Sequence, residues 1–140
     1  MKSFIYFMLF IAYVKGAPAD PYADDMRERE KMGLDCVEEV NIDRRIIDRA
    51  VATEEFPDEP KYKEFLACSY KKQGYQTADG VIQYKNIKDF LSRFYKRSDL
   101  KIIDNCKSDN EKSHGDRAFD ALLCVIANLH VIEGAQRSET

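Results

Sequence analysis

Four cysteines, Cys36, Cys68, Cys106 and Cys124, constrain this chain more than any other feature. Their chemistry depends on the compartment, and the N-terminus speaks to that. Lys2 gives a positive start, and residues 4–14 (FIYFMLFIAYV) form an uncharged stretch. Eleven residues suit the core of a secretory signal and are too short to span a bilayer. The small residues Gly16, Ala17 and Ala19 follow, so cleavage is expected after Gly16 or after Ala19. Residues 1–19 are therefore expected to be a signal peptide and residues 20–140 a single secreted domain. On the secretory route disulfides are the ordinary fate of cysteine, and an even number suits two bridges. A zinc site is the competitor, but there is no CxxC pair and His114 and His130 are the only histidines. Four cysteines allow three pairings, and their spacing alone selects none.

Charge removes one large class of function. The net charge is −3, and without the signal it becomes −5, with 20 basic against 25 acidic residues. Such a chain lacks the basic face that displaces counterions from a phosphate backbone, so no nucleic-acid partner is expected. Hydrophobic residues make up 44% of the sequence, enough for an ordinary core. No later segment reads as apolar enough to span a membrane, so no stable membrane insertion is expected.

The domain reads as helices. Val, Ile and Thr do not gather into alternating runs bounded by turns, which argues against a sheet. Residues 20–40 are charged and weakly periodic, with Met26, Leu34, Val37 and Val40 on a thin apolar face. A second helix is expected from Asn41 or Asp43 to Ala52, carrying Ile42, Ile46, Ile47, Ala50 and Val51 at three- and four-residue steps. A third is expected over 61–73, stopped by Gly74. Asp79-Gly80 marks a turn in a loop over 75–84. A fourth helix is expected over 85–96, with Ile87, Phe90, Leu91 and Phe94 on one stripe. A fifth, capped by Ser98 or Asp99, carries Leu100, Ile102, Ile103 and Cys106. The sixth starts at Asp116, with Phe119, Leu122, Leu123, Ile126 and Leu129 at offsets 0, 3, 4, 7 and 10. Residues 134–140 read as a polar tail.

Catalytic patterns are missing. There is no GxSxG, no HExxH and no phosphate-binding glycine loop. His114 sits in a polar loop, the setting of a solvated histidine. His130 reads the same way, with a pH switch as its alternative. The acidic run 104–116 lacks the glycine and final glutamate of a calcium loop. No enzyme activity, cofactor or metal is expected.

The residues around two cysteines carry a resemblance. Cys68 lies in Lys63-Glu64-Phe65-Leu66-Ala67-Cys68-Ser69-Tyr70, and Cys124 in Gly115-Asp116-Arg117-Ala118-Phe119-Asp120-Ala121-Leu122-Leu123-Cys124. Both segments resemble the insect pheromone and general odorant-binding proteins. Members of that family carry six cysteines, with three residues between the second and third and eight between the fifth and sixth. On that ruler Cys36, Cys68, Cys106 and Cys124 match the first, third, fourth and sixth. The second falls on Glu64 and the fifth on Gly115. The two vacancies are the two halves of one family bridge, so the chain resembles the four-cysteine, or minus-C, branch.

The resemblance implies an all-α, compact six-helix fold around an apolar cavity, with disulfides Cys36–Cys68 and Cys106–Cys124. It implies a secreted carrier of small hydrophobic ligands such as odorants, pheromones or lipid-like molecules. The candidate wall is Phe65, Leu66, Tyr70, Phe90, Phe94, Leu100, Ile103, Phe119, Leu122, Leu123 and Ile126. Tyr62, Tyr70, Tyr75, Tyr84 and Tyr95 are candidate polar groups within it. Glu64 and Gly115 are expected to face each other across the third and sixth helices. Glu64 is expected to be partly buried, or paired with Arg117 or His114, because an unpaired buried carboxylate is costly. The alternative is a secreted helical interaction protein of haemolymph, venom or reproductive fluid that keeps the fold without a ligand. Neither a chemoreceptor partner nor self-association is legible in the sequence.

Overall fold

The computed structural model describes residues 21–138, so the expected signal segment lies outside the described residues. Five α-helices and one 3-10 helix follow one another: α1 Ala23–Val40, α2 Arg44–Thr53, α3 Pro60–Gln73, α4 Tyr84–Leu91, η1 Asp99–Asn105 and α5 His114–Ser138. The all-helical expectation holds among the described residues. The extended element described is an isolated antiparallel bridge between Gln76 and Ile82.

Local chemistry sets the boundaries. Asn41 adopts the left-handed conformation (φ 59°) and ends α1. Asp43 then caps α2, its carboxylate accepting from the Arg45 backbone N–H at 2.9 Å. Pro60 occupies the first turn of α3, where its missing N–H costs nothing, and Gly74 (φ 83°) closes that helix. Gly80 (φ 92°) turns the following loop so tightly that a Cβ there would stand 2.4 Å from the His114 ring.

Three boundaries depart from the sequence reading. Helix α4 stops at Leu91 rather than Lys96. The Ser92 hydroxyl donates to the Asp89 carbonyl at 2.6 Å, and the Arg93 N–H turns instead to Phe90, tightening the last turn. The expected fifth helix is 3-10, with the Leu100 N–H shared between the Lys96 and Arg97 carbonyls. Helix α5 begins at His114, with the Ser113 hydroxyl accepting from the Asp116 N–H at 3.1 Å. It runs through Gly134 into the expected tail. Ile132 is buried there, and the Tyr95 hydroxyl donates to Glu133 at 2.6 Å, which anchors the last turns.

Helix α3 is central, packing against α5 on one side and α1 on the other. Two disulfides tie the arrangement: Cys36–Cys68 joins α1 to α3, and Cys106–Cys124 joins the end of η1 to α5. These are the partners the resemblance implies. They close loops of 32 and 18 residues. On a chain-entropy estimate each stabilises by about 3–4 kcal/mol. Helix α5 also corrects the membrane reading, because by length and composition residues His114–Arg137 could span a bilayer. Its apolar face is instead packed into the core, where Ala118, Leu122, Val125 and Leu129 are buried.

Candidate functional site: an aromatic interior between α3 and α5

Helix α3 places Tyr62, Phe65, Leu66, Ser69 and Tyr70 inward by its three- and four-residue steps. Helix α5 answers with Phe119, Leu122 and Ile126. The Tyr62 ring meets the Phe119 ring edge-on at 6.4 Å and the Phe65 ring at 6.3 Å. A second aromatic run continues from Tyr70 to Tyr75 (5.6 Å), Phe90 (6.1 Å) and Phe94 (5.8 Å), each contact edge-on. Leu100 and Ile103 of η1 complete the buried set.

Of the eleven expected wall residues, nine are buried and Phe94 is half-buried against them. Leu123 is not brought inward: it is 42% exposed. The large residues at helical spacing suggested it, but Ala118, Ala121 and Val125 occupy the inward stripe. Leu123, one residue on from the fully buried Leu122, falls outside that stripe. The stripe's signal in the sequence was the i, i+3, i+7 spacing of 118, 121 and 125, hidden by the low apolar weight of alanine.

The five candidate tyrosines separate by their partners. Tyr75 accepts from Arg29 at 2.8 Å, Tyr95 donates to Glu133, and the Tyr84 hydroxyl lies 3.4 Å from that of Ser108. The Tyr62 hydroxyl is fully buried and has no hydrogen-bond partner. A buried group left so costs about 1–3 kcal/mol. Burial holds the Tyr62 phenol well above the usual tyrosine range. Burial also raises the Tyr70 phenol, and the neighbouring phenols of Tyr62, Tyr75 and Tyr84 add to it.

Ionic contacts close the two ends of this interior. At one end Arg29, which sequence reasoning did not single out among the many charges of α1, donates to Asp25 (2.8 Å), Gln73 (3.1 Å) and Tyr75. Its guanidinium lies 4.6 Å from the Phe90 ring centroid, with Arg93 4.9 Å from the same ring. Burial would raise the Asp25 carboxyl, but hydrogen bonds from Arg29 and Arg93 outweigh it and hold it below its ordinary value. At the other end Lys63 reaches Asp58 at 2.6 Å and Asp116 at 2.8 Å. The Lys71 ammonium lies 2.7 Å from His114 Nδ1.

The Lys63 end is where the two vacant ruler positions fall. A Cβ on Gly115 would stand 3.0 Å from Lys63 Cβ and 3.1 Å from the Lys63 carbonyl carbon, so Gly115 sits on the Lys63–Glu64 peptide. The Glu64 side chain is exposed, which corrects the expectation of partial burial. Arg117 donates instead to the Asn110 carbonyl at 2.7 Å and the Lys112 carbonyl at 2.9 Å. A solvated carboxylate needs no partner, which removes the reason for the expected pair.

Two further features are surface chemistry. A cleft of about 500 Å³ lies between α2 and the segment before α3, with Ile46, Ala50, Phe56 and Pro57 under a charged rim. Its Arg45 is held by Asp43 at 2.9 Å. A cleft of about 300 Å³ between α4 and η1 is lined mostly by charged groups, with Leu100 the expected wall residue that reaches it. Cys36, Glu39 and Cys68 lie close enough to suggest a metal, but both sulfurs are committed to the disulfide and Glu39 pairs with Lys72 at 3.2 Å. His130 Nε2 lies 3.2 Å from a Glu54 carboxylate oxygen on the surface.

Comparisons with known proteins agree with this architecture. The chain is 20% identical over 102 residues to General odorant-binding protein 69a of Drosophila melanogaster, covering 73% of this chain and 69% of that protein. No solved structure gives a significant match. The profile of the PBP/GOBP family matches residues 20–128, most of the chain and all of α1 through the two disulfides, and the protein therefore belongs to the PBP/GOBP family.

Proposed function

We propose that this protein is a secreted carrier that takes up small hydrophobic molecules in its interior, as a four-cysteine member of its family. Family membership carries the reading. The ligand wall in this proposal is the buried set Phe65, Leu66, Tyr70, Phe90, Leu100, Ile103, Phe119, Leu122 and Ile126, with Phe94 at its edge. An apolar chain gains about 0.8 kcal/mol per methylene moved from water into such surroundings, so eight to ten methylenes supply micromolar binding without exact shape matching. The missing bridge between α3 and the start of α5 supports uptake, because an ionic contact opens more readily than a covalent one. Carriage of odorants in olfaction is one such role, and carriage of lipid-like molecules in another fluid uses the same chemistry.

Close packing favours a second reading, a secreted helical interaction protein that keeps the fold without a ligand. Displacement of a fluorescent apolar probe separates the two. The carrier reading expects displacement by medium-chain volatiles or fatty acids at micromolar concentration. Failure of a broad panel to displace the probe, or of the probe to bind, would favour the second reading.

A further inference from the structure

The Tyr62 hydroxyl is an anomaly that core packing does not explain. Its ring is fully buried on α3 against Phe65 of α3 and Phe119 of α5, and its oxygen has no hydrogen-bond partner and no contact with solvent. A phenylalanine would fill the same space without leaving a polar group unsatisfied. Natural interiors rarely keep such a group, and each one calls for an explanation such as a functional role or a bound partner.

The surroundings define what would satisfy it. A tyrosine phenol is neutral at physiological pH, so Tyr62 offers one free O–H donor. The cation beside the Phe119 ring on which Tyr62 packs, Lys63, is taken up by Asp58 and Asp116, and Arg29 at the other end of the interior is taken up by Asp25. An ionised carboxylate placed beside Tyr62 would therefore be buried without a counter-charge, which is strongly unfavourable. A neutral oxygen acceptor on an apolar skeleton meets both conditions, satisfying the donor and bringing no charge.

We propose that Tyr62 is the specificity-determining polar anchor of the interior site, donating its hydroxyl hydrogen bond to the carbonyl oxygen of a neutral, mainly apolar ligand such as a ketone, aldehyde or ester. This rests on the carrier reading above and narrows it to a ligand class. The carbonyl lies beside Tyr62 between α3 and α5, and the hydrocarbon part extends along Phe65, Leu122 and Phe119. Entry is at the adjoining junction of Lys63 with Gly115, where the two helices meet without a covalent tie.

The test compares wild type with Tyr62→Phe, using a medium-chain methyl ketone and the alkene of the same skeleton as competitors of a fluorescent apolar probe. Loss of one neutral hydrogen bond should weaken the ketone by about threefold to tenfold and leave the alkene within about twofold. The ketone carbonyl stretch should shift to lower frequency on wild type and return on the variant. Without ligand the variant should melt no lower than wild type, since it removes an unsatisfied group. Equal weakening of ketone and alkene would reduce Tyr62 to a packing residue and overturn the inference. So would unchanged binding of both, which leaves the carrier reading intact. A lower melting temperature of the unliganded variant would reveal a structural partner for the hydroxyl and also overturn it. If wild type binds neither probe nor competitor, the carrier reading fails and takes this inference with it.

Discussion

At the scale of single residues, Lys63 joins three features at once. Its ammonium bridges Asp58 and Asp116 and lies 5.1 Å from the Phe119 ring centroid. The hydrogen bond from Lys63 holds the Asp116 carboxyl below its ordinary value of 3.8, helped by Ser113. Conversely, hydrogen bonds to Asp116 and Asp58 hold the Lys63 ammonium above its ordinary 10.5. A depressed carboxyl contributes stability that is present above its unfolded value and lost as pH falls through the folded one. A raised amine contributes stability that is present below its unfolded value and lost as pH rises through the folded one. The clasp therefore holds across the neutral range and fails in acid. Lys63→Met should lower the melting temperature at pH 7, and the gap from wild type should close below about pH 4. Thermal melts from pH 7 to pH 2 check this, and a gap independent of pH would show that Lys63 acts through packing alone.

The neighbours Leu122 and Leu123 give a second contrast at this scale. One is fully buried and the other exposed. Leu122→Ala should cost about 2–5 kcal/mol. Leu123→Ala should fall within about 0.5 kcal/mol of wild type. Denaturant unfolding of the two variants measures both, and equal costs would place the inward stripe of α5 elsewhere.

At the scale of elements, the junction of α3 with α5 is held without a cross-link, whereas the α1–α3 and η1–α5 junctions each have one. Gly115 stands on the Lys63–Glu64 peptide, closer to Lys63 Cβ than the roughly 3.5–4.5 Å that disulfide geometry accepts. The family's cysteine spacing places the partner at Glu64, the other residue of that peptide. The double change Glu64→Cys with Gly115→Cys should form a third disulfide and stabilise by up to about 3–4 kcal/mol. Thiol titration and a melt with and without reductant read it out. Two persistent free thiols in a folded protein would show that the helices meet in another register. If the carrier reading holds, closing this junction should also slow ligand entry.

For the whole molecule, the proposed carrier role couples ligand and fold through the same interior. A ligand that occupies the space between α3 and α5 binds the folded chain and not the unfolded one. At a free concentration a hundred times its dissociation constant, it should add about 2.7 kcal/mol to stability. A calorimetric melt with a competitor selected by probe displacement should show that rise. Displacement without any rise in melting temperature would place the probe on the surface, with the cleft between α2 and the segment before α3 the first location to examine.

The sequence by itself determined the helical class, the approximate position of each helix among the described residues, the family and the identity of most of the core. Cysteine spacing and three- to four-residue apolar periodicity are local signals, and Pro60, Gly74 and Asp43 act on the backbone within a turn of themselves. Tertiary structure decided the rest. Helix α4 ends where Ser92 competes for a carbonyl, and α5 carries on into the expected tail, with Tyr95, far away in sequence, reaching Glu133 in its last turns. Leu123 faces out because packing turns the face with Ala118, Leu122 and Val125 toward the core. Whether a tyrosine hydroxyl has a partner is also a question of what the fold brings within 3 Å. Five tyrosines looked alike in sequence, and only packing distinguished Tyr62, whose hydroxyl is buried without a hydrogen-bond partner.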